Sequence, residues 1–140
     1  MKFMILTKEI GEIMNNIMNK QDRSNLDKLW QKAIAFKYYN RCAITGDPVY
    51  NGAHHIIPRI HTIYRWDIDN GIMLSPDVHR DVEDNPKKFL DWMEEFYPTK
   101  HQWYVVNNES KYNRNEKDKV DEDISRLQEY CREHSLYNDD

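Results

Sequence analysis

Three histidines and one asparagine are the residues of this chain best placed to do chemistry: His54 and His55 side by side, then Asn70, then His79, all within 26 residues. They stand in Ala53-His54-His55-Ile56-Ile57-Pro58, in Asp67-Ile68-Asp69-Asn70-Gly71-Ile72-Met73-Leu74, and in Ser75-Pro76-Asp77-Val78-His79. Neutral imidazole ligates divalent metals, and its ordinary pKa suits proton abstraction near neutral pH. The set can therefore supply two metal ligands, one base and one orienting group. Any single histidine is more often a surface or core residue with a satisfied ring nitrogen. The order and spacing of the four carry the reading, not one member.

Positioning these groups requires two strands and a helix. Thr45-Gly46-Asp47-Pro48 has turn chemistry, and Val49 to Ile57 reads as the first strand. Ile72-Met73-Leu74 reads as a second, short and buried strand, entered through a turn at Asp69-Asn70-Gly71. Ser75 or Asp77 can cap a helix that runs through His79 and Glu83 towards Pro86. His79 and Glu83 are four residues apart and share a helix face.

Helices flank this core. Ile10, Ile13, Met14, Ile17 and Met18 follow helical spacing, and Leu26, Leu29, Trp30, Ala33 and Ile34 repeat it after Ser24 and Asn25 as plausible caps. Both stripes read as core packing. Phe36, Tyr38, Tyr39 and Tyr50, beside Lys37 and Arg41, read as packing under a small hairpin in preference to stacking on bases. Pro86 opens a helix with Phe89, Leu90, Met93 and Phe96 on its apolar face. Trp103-Tyr104-Val105-Val106 reads as a strand or packed loop, and residues 107–119 as polar and exposed. Val120, Ile124, Leu127 and Cys131 suit a last helix, before a frayed Asn138-Asp139-Asp140. The expected organisation is one domain over 1–140. It comprises N-terminal helices in 1–40, the two-strand and helix unit in 42–84, a following helix in 86–97, and an acidic segment in 107–140.

Hydrophobic residues make up 39% of the 140 and charged residues 31%, the balance of a soluble globular domain. No apolar run approaches membrane-spanning length, the start has no secretory cleavage pattern, and Cys42 and Cys131 are not expected to pair. A cytoplasmic setting and no membrane partner are the expectation. The net charge of −4 argues at first against a nucleic-acid enzyme. Its distribution points the other way: residues 1–70 are net +3 and residues 71–140 net −7. Within 28–65 Lys28, Lys32, Lys37, Arg41, Arg59 and Arg65 face Asp47 alone, net +5, so the surroundings of the histidine pair are locally basic.

The His54-His55, Asn70, His79 set resembles the His-Asn-His signature of the HNH, or ββα-metal, nucleases. The resemblance covers roughly residues 26–97, from Leu26-Asp27-Lys28-Leu29-Trp30 and Arg41-Cys42 through Arg65-Trp66-Asp67 to Asn85-Pro86. It is similar to phage-encoded HNH proteins and, more weakly, to recombination nucleases of the lambda NinG (Rap) type, which act on branched DNA. The fold it implies is α+β: a mainly helical single domain around a ββα-metal module with a two-stranded hairpin. The activity it implies is metal-dependent hydrolysis of DNA phosphodiester bonds, by nicking or double-strand cleavage. A junction nuclease, or a non-catalytic nucleic-acid-binding module, are the alternatives. His54 and His79 would ligate one divalent ion, with Glu83 a third-ligand candidate; magnesium is expected, and manganese, nickel or zinc would also serve. His55 would be the general base and Asn70 would orient it. Arg59, His61 and Arg65, with Lys37 and Arg41, would bind substrate phosphate. DNA is the expected partner and RNA an alternative; a homodimer would supply affinity that one basic face lacks. A phage-encoded protein of this kind would work in the host cytosol. Many relatives carry two Cys-x-x-Cys knuckles for a structural zinc. Here they read Cys42-Ala43-Ile44-Thr45 and Ser75-Pro76-Asp77-Val78, so no structural zinc is expected.

Overall fold

A computed structural model describes residues 18–112 and 117–137. Of the amphipathic stripe Ile10, Ile13, Met14, Ile17 and Met18 only Met18 is described, buried in the core, and the rest of the stripe and the tail at 138–140 lie outside the described residues. The first described helix, α1, is Lys20–Lys37. Its cap is Asn19, not the expected Ser24 or Asn25. The Asn19 side chain accepts from the Asp22 N–H at 2.8 Å, and the Asp22 carboxylate accepts from the Asn19 N–H, closing a reciprocal capping box. The stripe of Leu26, Leu29, Trp30, Ala33 and Ile34 is buried, as its spacing required.

Strand β1 is only Ala53–His55, much shorter than the expected 49–57. Asn51 has a φ of 56°, which breaks extended backbone, and the Val49 N–H is already spent on the Asn40 carbonyl. An isolated antiparallel bridge, Arg41 to Pro48, closes that preceding loop. After β1 come two 3₁₀ turns at Thr62–Tyr64 and Ile68–Asn70, then β2 at Gly71–Met73. The two strands form an antiparallel hairpin with Ala53 opposite Met73, His54 opposite Ile72 and His55 opposite Gly71.

Helix α2, Pro76–Asp84, follows with Ser75 as cap and Pro at its first position, where no N–H is needed. Helices α3, Pro86–Phe96, and α4, Pro98–Asn108, start on prolines in the same way. Trp103-Tyr104-Val105-Val106 is therefore helical, not strand or loop. Pro98 pre-sets a helical φ, and α4 packs on α3. The last described helix, α5, is Lys117–Glu133. Its Ile124, Leu127 and Cys131 pack on α1 together with Trp66, Ile68 and Met73. A second core joins Ile72 and Leu74 to Val82, Phe89 and Met93.

The chain is thus α+β and mainly helical, built around a two-stranded hairpin. The hairpin is pressed between α1 on one face and α2 with α3 on the other. Three surface expectations change. Phe36, Tyr39 and Tyr50 are exposed and do not pack under a hairpin. The segment 107–119 is not uniformly exposed, because Lys119 is partly buried against Asp67 and Asp123. Among the described residues no helix is long and apolar enough to cross a membrane.

Candidate active site

Adjacent residues on a strand point to opposite faces. In β1 this sends His54 towards α2 and His55 towards α1. The His54 ring lies edge-on to His79, with centroids 4.5 Å apart at 68°. The His55 ring lies flat on the Trp30 indole, with centroids 3.8 Å apart and planes 4° from parallel. Both histidines still reach one cleft of about 570 Å³, because β1 ends at His55 and the cleft opens across the strand end. His54, His55, Arg59, His79 and Glu83 line it from the hairpin and α2; Trp30 and Tyr104 close it from α1 and α4.

Gly71 makes the α1 side possible. A Cβ at that position would sit 2.3 Å from Ile34 Cδ1 and 2.9 Å from Trp30 Cζ2. Glycine opposite His55 therefore lets α1 approach closely enough to stack on its imidazole.

The electrostatics separate the two histidines. Burial first, then the nearby His79 and His55 charges, bring His54 down to about 4. It is neutral at neutral pH and free to ligate. Burial also lowers His55, partly offset by its backbone hydrogen bond to Arg65 and by the Asp27 charge. His55 Nε2 lies 2.9 Å from the Arg65 carbonyl. A carbonyl can only accept, so Nε2 carries the proton and Nδ1 of the neutral ring keeps its lone pair.

Asn70 is fully buried and takes no part in the cleft wall. Its Oδ1 accepts from the Ile57 N–H at 2.7 Å, while Nδ2 donates to the Ile57 carbonyl at 2.9 Å and the Tyr64 carbonyl at 3.1 Å. It clasps the two ends of the loop between the strands, one residue before the Arg65 carbonyl that holds His55.

The cationic candidates fare differently. Arg59 is exposed, lines the cleft and lies 3.5 Å from Asp27. Arg65 has its fork engaged, with Nε and Nη2 donating to the two Asp27 oxygens at 2.9 and 2.6 Å in a largely buried pair. His61 packs edge-on against Tyr112, and Arg41 donates to the Gly46 carbonyl at 2.9 Å. Lys37 ends α1, where its charge, after burial, helps bring Lys100 down to about 8. None of His61, Arg41 and Lys37 lines the cleft.

Glu83 Oε1 is 3.1 Å from His79 Nε2. The donor set of His54, His79 and Glu83 fits a divalent ion: two imidazoles on facing elements, one held neutral, beside one carboxylate, at an open cleft. Among the described residues, no three His, Cys, Asp or Glu side chains are gathered into a ready-made cage. The two knuckle remnants also still meet. Burial pushes the Cys42 thiol up, but the Thr45 hydroxyl and N–H and the N–H groups of Ser75 and Ile44 outweigh it and bring it to about 7.

Residues 42–81 match the family model described as HNH endonuclease. This segment is an HNH module. The match spans β1, both 3₁₀ turns, β2 and most of α2, and it contains His54, His55, Asn70 and His79. The family's activity is that of a nuclease, and nucleic acid is the substrate class it implies. No curated protein and no solved structure matched the chain. The HNH module does not contain Asp27 and Trp30, which sequence reasoning assigned to a packing helix. Their three-residue spacing, which puts them on one face of α1, is the signal that was available.

Proposed function

We propose that this chain is a metal-dependent endonuclease that hydrolyses phosphodiester bonds in DNA, with His55 as its general base. The observation that carries the reading is the 2.9 Å contact of His55 Nε2 with the Arg65 carbonyl. Nε2–H is spent on the Arg65 carbonyl, which leaves Nδ1 as the basic nitrogen in the cleft that His54 and His79 also line. A half-buried imidazole whose Nε2 proton is held by a carbonyl keeps its other nitrogen as the proton acceptor. Nδ1 takes the proton of the attacking water as the oxygen bonds to phosphorus and the bond to the leaving oxygen breaks.

His54 and His79, with Glu83 in reach, would hold the divalent ion, magnesium or one of the transition ions that imidazole favours. Such an ion, when bound, supplies charge neutralisation on the phosphate. Arg59 is the cationic side chain best placed on the cleft to meet the substrate backbone.

The test is nicking of supercoiled plasmid by purified protein, with magnesium or manganese and with chelator. Cleavage is expected only with metal, and it should be lost in both His55→Ala and His79→Ala. Calorimetric metal titration should show near wild-type affinity for His55→Ala and a large loss for His79→Ala. Cleavage in the presence of chelator, or full activity of His55→Ala, would overturn the reading.

A further inference from the structure

The imidazole of His55 has two freedoms that must be removed before Nδ1 can work: the tilt of its plane, and the ring flip that exchanges Nδ1 with Nε2's side. Different groups remove them, one on α1 itself and one held from α1, which lies outside the matched module. Trp30 fixes the plane by stacking at 3.8 Å and 4°. Its own indole cannot shift, since it is 1% exposed and its Nε1 donates to the Asp67 carbonyl at 2.8 Å. Stacking is blind to the flip, because either edge of the ring lies equally well on an indole. The flip is decided by the Arg65 carbonyl, which requires an N–H at Nε2.

That carbonyl is held by Asp27. The Asp27 carboxylate accepts from Arg65 Nε and NH2 at 2.9 and 2.6 Å and from Trp66 Nε1 at 3.0 Å, gripping the side chains on both sides of the 65–66 peptide. The Arg65 and Trp66 hydrogen bonds and the Arg65 charge outweigh the effect of burial on Asp27 and hold its carboxyl below the usual range, so it stays charged in this role. Asp27 and Trp30 are three residues apart on one helix face. One turn of α1 thus meets the base from its face and, through Arg65, from its edge.

We propose that Asp27 and Trp30 are positioning residues of the nuclease centre, which set the plane and the flip of His55 from a helix outside the HNH module. The proposal rests on the reading of His55 as the base. Misplacement of a reacting group by about 1 Å costs on the order of 10²-fold in rate, which sets the scale of the effect.

The test compares Trp30→Leu, Trp30→Phe, Asp27→Asn and His55→Ala in the full chain. Steady-state plasmid nicking gives kcat and KM, calorimetry gives manganese affinity, and NMR gives the shifts of the His55 ring protons. Stacking on an indole moves those protons upfield. Trp30→Leu is expected to lose the upfield shift and about 10²-fold in kcat, with KM and manganese affinity near wild type. Trp30→Phe, which keeps an aromatic face, should recover most of both. Asp27→Asn should keep the shift but lose roughly tenfold in kcat, since the plane survives and the edge loosens. If Trp30→Leu does not fold, Trp30→Phe against Asp27→Asn still separates plane from edge. Wild-type kcat in Asp27→Asn, or in a folded Trp30→Leu whose His55 shift has collapsed, would overturn the proposal while His55→Ala remained inactive. Cleavage by His55→Ala would instead overturn the base assignment itself.

Discussion

Replacing Asn70 with alanine should unlatch the loop on which His55 depends, and the cost can be worked from its three hydrogen bonds. The truncation removes the acceptor of the Ile57 N–H and the donor to the Ile57 carbonyl, at a residue that is 0% exposed. The Tyr64 carbonyl keeps a long bond from the Asp67 N–H at 3.4 Å, so two groups are orphaned, not three. A buried polar group left without its partner costs about 1–3 kcal/mol, which makes about 4 kcal/mol the expected loss. Domains of this size are stable by about 5–15 kcal/mol, so the loss is a large fraction of the total. At an unfolding entropy of about 2.1 cal/mol/K per residue, the melting temperature should fall by about 10–15 °C. Asn70→Asp separates the lost bonds from lost volume. It keeps the size of the side chain but turns an acceptor towards two carbonyls. The introduced carboxyl must then be protonated to fit, so its folded pKa lies above its unfolded value. The folded state binds more protons, and the penalty is absent in acid and grows as pH rises through the folded pKa. Differential scanning calorimetry at pH 4 and pH 7.5 should find Asn70→Asp near wild type at the lower pH and well below it at the higher. Asn70→Ala melting within about 3 °C of wild type would refute the clasp.

Two further outcomes follow from the same geometry. His54 is held at about 4, below its unfolded value of about 6.5, so the metal-free protein should keep full stability above pH 6.5 and lose up to about 3 kcal/mol as pH falls towards 4. Urea unfolding of wild type and His54→Gln across that range checks this, and parallel curves would refute it. Gly71→Ala should cost about 1–3 kcal/mol, because the added Cβ would sit 2.3 Å from Ile34 Cδ1 and 2.9 Å from Trp30 Cζ2, both in the core. An unchanged urea midpoint would show that the hairpin can shift away from α1.

Much of the site was written in local pattern. The spacing from His54 to His79 placed a hairpin before a helix, because turn residues, caps and alternation act over a few positions. The apolar stripes of α1 and α5 were legible for the same reason, since helical periodicity exposes a buried face without reference to its partner. Where the signal was wrong, another local constraint had gone unweighed: Asn51 ends the first strand early, and Pro98 starts a helix through Trp103 and Val106.

What the tertiary structure alone decided is which groups meet across distance. Asp27 stands in sequence within the apolar stripe of α1 with no partner in view, yet its partners are Arg65 and Trp66, 38 and 39 residues away. Arg65 reads as a phosphate ligand until that pairing consumes its fork. Trp30 is a core residue by its spacing and the platform for His55 by its contacts, and periodicity reports only the first. Asn70 reads in sequence as an orienting residue, but that it clasps Ile57 and Tyr64 depends on how the loop closes. Local sequence sets the conformation of each segment through short-range sterics and capping. The choice of long-range partner is made by the packing of whole faces, and packing is where His55 acquires its stacked plane, its carbonyl partner and its cleft.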